Sequence, residues 1–335
     1  MFDAYSALEL LTIAGLGLLA GTLGGMLGVG GSVVMIPGLV WLLGRPTGVE
    51  QHLYQAAAMI ANVAVAVPAA LRHRRAGAMV PAVLRGMLPA ALGGVVLGVW
   101  LSNLPVFSGP RGGVWLGRVL AAFLVYVIYA NLKKLCRPAV APQPPPPPPP
   151  PAITDKHTDP PAHDAAGQRA PAPTPTPVHT DGTDDTPDTA SAPLSPAGGG
   201  VAVGSLMGTT AGLMGVGGGA LAVPLQQTLI GLPLRQCIAN SSAVICVSAA
   251  VGAIYKNTTL AGRVGPEVAA TLEAAGQPAI DWRTGLALGL LLAPTAWAGG
   301  RLGAALTHRL PLRTIRVAFI ALMLVAAWKM AALPT

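Results

Sequence analysis

Two glycine clusters carry the most suggestive chemistry in this 335-residue chain. Residues 20–37 read A-G-T-L-G-G-M-L-G-V-G-G-S-V-V-M-I-P, and residues 207–224 read M-G-T-T-A-G-L-M-G-V-G-G-G-A-L-A-V-P. At a constant spacing of 187 residues, Gly21, Thr22, Gly28, Val29, Gly30, Gly31 and Pro37 match Gly208, Thr209, Gly215, Val216, Gly217, Gly218 and Pro224. Glycine accepts positive φ and brings no side chain, so a Gly-Val-Gly-Gly run lets a helix unwind and expose backbone N–H groups. A helix restarting beyond the run aims its first N–H groups, and the positive end of its dipole, at the gap. Such a gap receives an anion without a charged side chain.

Neutral hydrogen-bonding residues gather around both clusters. Ser32 follows the first and Gly219 occupies its place in the second. Gln226 and Gln227 lie just beyond Pro224, and Asn240-Ser241-Ser242 opens the next apolar stretch. In the first half that stretch reads Ala56-Ala57-Ala58-Met59-Ile60-Ala61-Asn62, which leaves Asn62 as its polar residue. The candidate substrate-binding set is therefore Gly28, Gly30, Gly31, Ser32, Asn62, Gly215, Gly217, Gly218, Gly219, Gln226, Asn240, Ser241 and Ser242. Amide and hydroxyl donors suit an oxyanion, whereas a cation calls for carboxylates. Glu50, Glu267, Glu273 and Asp281 fall in expected loops, and Asp3 and Glu9 lie near the N-terminus. A cation exchanger or a carboxylate-based proton pump is thus disfavoured. Two plainer roles stay open: the glycines as close-packing contacts, and each Asn or Ser as an interhelical hydrogen-bond partner.

Other chemistries find little support. Cys136, Cys237 and Cys246 lack metal-ligand spacing, and no cofactor or metal is expected. His52 and His308 stand alone near the ends of apolar stretches, with no nucleophile–base pair for an enzyme. Gly15-Leu16-Gly17-Leu18-Leu19-Ala20 satisfies the dinucleotide fingerprint, but it sits inside an apolar run with no preceding strand.

The elements that must position these residues follow from composition. The chain is 52% apolar, 10% charged and 4% aromatic, with 42 glycines and 33 prolines. Residues 138–198 hold 19 of those prolines, seven of 13 acids and two of 21 basic residues, leaving 19 Lys and Arg against six acids elsewhere. Apolar runs with basic flanks describe a polytopic membrane protein and exclude a nucleic-acid binder. Membrane-length windows fall at 7–44, 53–71, 79–101 and 113–135, then at 199–231, 237–255, 284–306 and 313–332. The N-terminus lacks a cationic n-region, so the first window is expected to remain as a membrane segment. The expected fold is an all-α membrane protein of two duplicated halves, residues 1–137 and 199–335. Each half has about four transmembrane helices, the first broken by glycine. Gly21/Gly25, Gly94/Gly98, Gly204/Gly208, Gly208/Gly212 and Gly299/Gly303 give the spacing that lets helix backbones approach closely in lipid. Residues 138–198, with eight consecutive prolines from Pro144 to Pro151, read as a disordered linker.

Orientation depends on how the glycine-broken windows cross. One crossing each gives eight spans, and the positive-inside rule then puts both termini and the linker in the cytoplasm. Arg309, Arg313 and Arg316 oppose that count. Two crossings each make inverted halves of five spans and keep only the linker inside.

The doubled motif, Gly24–Gly31 with Pro37 and Gly212–Gly219 with Pro224, resembles the sulfite exporter TauE/SafE family of bacterial membrane permeases. Asn240-Ser241-Ser242 and the four-plus-four layout add to the likeness, which covers both halves. The resemblance implies an all-helical bundle in the bacterial inner membrane that moves sulfite, sulfonates or related sulfur oxyanions. Two features depart from it: the long proline-rich linker, and Ala56-Ala57-Ala58 where polarity is expected. The implied partners are a small anion and the lipid bilayer, with a homo-oligomer left open. A reading from a different class is a membrane scaffold that recruits a cytosolic partner through the linker.

Overall fold

A computed structural model describes residues 7–43, 50–107, 194–263, 266–274 and 279–307, with scattered helical residues between 112 and 133 and between 317 and 328. The expected linker, apart from residues 194–198, lies outside the described residues. In chain order the helices are α1 (Ala7–Leu27), α2 (Ser32–Leu43), α3 (Glu50–Arg75), α4 (Pro81–Ser102), α5 (Pro196–Met214), α6 (Gly219–Leu225), α7 (Leu234–Thr259), α8 (Pro266–Ala274) and α9 (Trp282–Leu306). A π turn over Gln226–Ile230 prolongs α6. No strand occurs among the described residues. Helical order in the second half begins at Pro196, inside the segment read as linker, where Ser195 Oγ accepts the Gly198 N–H at 3.2 Å. The helix-cap hydroxyl is the local signal that fixes this start.

Among the described residues, α1, α3, α4 and α7 are long and apolar enough to cross a membrane. The 26 residues of α3 reach about 39 Å, against about 30 Å of hydrocarbon. Residue placement is inverted relative to a water-soluble protein. Leu11, Leu18, Trp41, Val96, Leu97, Trp100, Ile254 and Leu290 are exposed, while Gln55, Asn62, Gln226, Asn240, Ser241 and Ser248 have no exposed surface. An apolar coat over a polar interior fits a bilayer, where each polar group must find its partner inside the bundle.

Glycine sets how closely and in which direction the helices pack. Along α4 and α5, Gly200 faces Val83, Gly204 faces Met87, Gly208 faces Ala91 and Gly212 faces Val95, so the two advance together. Along α1 and α9, Gly21 faces Ala296, Gly25 faces Gly300 and Gly303 faces Thr22, again in parallel. These are the most extensive helix pairs in the molecule. In each pair a Cβ would strike the partner's backbone, so the small residues are close-packing contacts. The central pair, α3 and α7, runs antiparallel. Gln55 near the start of α3 meets Lys256 near the end of α7, and Met59 meets Gly252. Val80, just beyond α3, meets Asn240 near the start of α7.

The windows 7–44 and 199–231 are helical hairpins rather than interrupted rods. Gly31 lies against Ala20 and Gly38 against Leu16, so α2 returns along α1. Gly218 lies against Met207 and Gly199 against Ile230, so α6 and its π turn return along α5. Under a single crossing of each window α3 and α7 would be parallel; the out-and-back paths account for their opposition. Residues 1–137 and 186–335 together form one compact unit.

Candidate functional site

Each hairpin turns on its glycine cluster. Gly28 (φ 63°) and Gly30 (φ 85°) carry the chain out of α1, and Val29 N–H donates to the Gly24 carbonyl at 3.3 Å. Gly215 (φ 72°) caps α5 by donating to the Ala211 carbonyl at 2.8 Å, and Gly217 (φ 79°) and Gly218 (φ 70°) lead into α6. L-residues with a Cβ resist these left-handed values by about 1–2 kcal/mol each. Gly31 is different: its φ is not positive, and it serves close packing, with its missing Cβ 3.1 Å from the Ala20 carbonyl oxygen.

The two turns meet in the interior. A Cβ on Gly219 would strike the Gly28 carbonyl oxygen and come within 2.8 Å of Val29 Cα. Between the turns stands Asn62, at the middle of α3 and without exposed surface. Its Oδ1 accepts the Ser32 N–H at 3.0 Å, and its Nδ2 donates to Ser32 Oγ at 2.6 Å. The Ser32 N–H is the first of α2's otherwise unpaired N-terminal donors. A Cβ on Gly30 would stand 3.2 Å from Asn62 Oδ1, and one on Gly217 would stand 2.7 Å from Asn62 Nδ2. One amide thus touches both hairpins. Gly28, Gly30, Ser32, Asn62, Gly217 and Gly219 come together here. Gly215 packs against Gln55, and Gly28 against Ile238, whose carbonyl accepts Ser242 Oγ at 2.8 Å. Gly218 points away, toward the Met207 backbone.

Gln226, Asn240 and Ser241 form a separate cluster toward the start of α7. Gln226 Nε2 donates to Ser241 Oγ at 3.0 Å and to the carbonyls of Ala222 and Cys237 at 3.2 and 3.3 Å. Asn240 Nδ2 donates to Gln226 Oε1 at 3.2 Å, while its Oδ1 accepts the Val80 N–H at 2.9 Å. These bonds fasten the α6–α7 corner to the α3–α4 turn.

Sequence reasoning missed the opposite end of the α3–α7 pair. Lys256, just past the expected apolar window 237–255, lies within α7 and is 3% exposed. Its Nζ donates to Gln55 Oε1, and stands 3.4 Å from both Ser102 Oγ and the Leu213 carbonyl oxygen. Glu50, expected in a loop, is the first residue of α3 and is buried. The available signal for Lys256 was its register, one turn beyond Gly252 on the face that α7 turns to α3.

Comparison with known proteins is consistent in class. The family model described as "Sulfite exporter TauE/SafE" matches residues 13–330. The chain is 26% identical over 328 residues to the probable membrane transporter protein MamO of Magnetospirillum gryphiswaldense, covering 97% of this chain and 45% of that protein. MamO of Paramagnetospirillum magneticum is 24% identical over 326 residues, covering 97% and 45%. The chain therefore spans a little under half the length of these two relatives. The probable membrane transporter protein YunE of Bacillus subtilis is 26% identical over 306 residues, covering 90% of this chain and 89% of its own. No solved structure matches. An all-helical chain with apolar spans, matched over nearly its whole length by that family model, belongs to the sulfite exporter TauE/SafE family of membrane transporters.

Proposed function

We propose that this chain is a permease for a small anion of the sulfite or sulfonate class, and that Asn62 lies at its binding site. The carrying observation is the position of that amide between two glycine turns, with its Oδ1 accepting the first N–H of α2 and its Nδ2 donating to Ser32 Oγ. Neutral donors and a helix N-terminus stabilise an oxyanion while presenting no carboxylate to repel it. Asn62 and Ser32 have no exposed surface, so in this reading an anion reaches them only when the bundle opens. An anion gains access when one hairpin parts from α3, and rocking of one half against the other alternates the side.

The halves in this reading are an inverted duplication. The paired motifs supply the sequence argument, and the antiparallel course of α3 and α7 supports it. Arg72, Arg74 and Arg75 at the end of α3 and Arg301 near the end of α9 fall on the side from which α5 starts. The positive-inside rule then places that side, and with it the linker, in the cytoplasm. Binding is tested by heating the purified protein with sodium sulfite, sodium sulfate, a short alkylsulfonate and sodium chloride. Saturable protection by sulfite or the sulfonate, lost in Asn62→Leu, is expected. Protection of equal size by every salt, or in the variant, would remove the site.

A further inference from the structure

We infer that Lys256 and Gln55 form a second anion station, two helical turns along α3 from Asn62; this rests on the permease reading. Gln55 and Asn62 are seven residues apart, which places them on one face of α3 about 10.5 Å from each other. Each packs against a glycine of the same hairpin turn, Gln55 against Gly215 and Asn62 against Gly217. The Lys256 ammonium engages Gln55 Oε1 and so fixes which end of that amide faces elsewhere. Gln55 has no exposed surface, and its Nε2 has no hydrogen-bond partner among the described residues. A buried amide donor without an acceptor is costly, and the oxygen of a bound anion would satisfy it. Lys256 also donates to Ser102 Oγ and the Leu213 carbonyl oxygen, each at 3.4 Å.

On the facing helix α7 a further donor is buried. Ser248 has no exposed surface, and its hydroxyl has no partner among the described residues. It lies two turns before Lys256, near Gly252, where Met59 of α3 fills the intervening space. The matching position of the first half is uncharged: the residue 187 positions before Lys256 is Ala69. A cation in a membrane interior is retained for what it contacts, and an ammonium beside an unfilled amide donor fits a small oxyanion or sulfonate headgroup.

The test measures sulfite flux and sulfite protection against thermal unfolding for wild type, K256M, K256R and K256C. K256M should raise the half-saturating sulfite concentration about ten- to a hundredfold, as expected for loss of a charged hydrogen bond. K256R should stay near wild type. Treating K256C with a cationic methanethiosulfonate should restore affinity, and an anionic reagent should not; treated wild type controls for Cys136, Cys237 and Cys246. An unchanged half-saturation in K256M, or equal effects of the two reagents, would overturn the station while leaving the permease intact. Rescue of K256M by E50Q would also overturn it, by revealing a structural ion pair. Absent flux with sulfite protection lost in K256M would sink transport and keep the binding station.

Discussion

Replacing Gly217 with alanine should disable the site through two separable costs. The first is backbone strain: φ of 79° is left-handed, and an L-residue there loses about 1–2 kcal/mol. The second is collision, because the new Cβ would stand 2.7 Å from Asn62 Nδ2. Asn62 must then move off Ser32, weakening two hydrogen bonds worth about 0.5–1.5 kcal/mol each. Together the expected loss is about 2–5 kcal/mol, a large part of the stability of an ordinary domain. Gly30→Ala is the graded comparison. Its φ is 85°, but its Cβ would stand 3.2 Å from Asn62 Oδ1, so strain dominates and the loss stays near about 1–2 kcal/mol. The assay pairs thermal unfolding in detergent with flux normalised to inserted protein. A double-mutant cycle with Asn62→Ala isolates the collision, since removing the amide removes the clash. The double variant should be more stable than the summed single losses by about 1 kcal/mol or more. Wild-type stability and flux in G217A, or strict additivity with N62A, would refute the reasoning.

Three further expectations concern the surrounding scaffold. Asn240→Ala leaves the Val80 N–H and Gln226 Oε1 without their partner, so thermal stability should fall by about 1–3 kcal/mol, read against an unchanged half-saturation for sulfite. Gly208→Leu drives a side chain into the Ala91 backbone and should abolish detergent-stable protein, whereas Gly93→Leu, with open space around it, should leave yield and melting temperature near wild type. Deleting residues 144–190 spares Ser195 and the start of α5, and flux should persist in the shortened protein. Lost flux with normal insertion would instead favour recruitment of a partner through the linker.

Composition and spacing made much of this architecture readable. Apolar windows and sparse charge placed the helices, because a bilayer demands long uninterrupted stretches of internally bonded backbone. The repeated Gly-Val-Gly-Gly located both turns, since positive φ at Gly28, Gly30, Gly215 and Gly217 favours the one residue without a Cβ. Asn62 stood out as the polar residue of its span. Direction was less visible. A helix and its reversed neighbour bury the same residue types, so only contacts such as Gln55 with Lys256 reveal that α3 opposes α7. Lys256 itself looked like a flanking charge, because a lysine near a span end ordinarily extends its ammonium toward water. Its burial depends on Gln55, Ser102 and Leu213, residues remote in the chain. Gln226 and Asn240 stood near each other in the expected set, but their joint attachment to Val80 required the folded α3–α4 turn.

Flux of sulfite through purified protein in sealed liposomes bears most directly on the central claim. Wild type should take up sulfite in a saturable manner, a short alkylsulfonate should compete, and Asn62→Leu should reduce uptake to that of empty liposomes while remaining folded and inserted. Uptake by wild type no greater than empty liposomes across sulfite, sulfonate and other small oxyanions would contradict the permease. Undiminished uptake by Asn62→Leu would contradict the site between the two glycine turns.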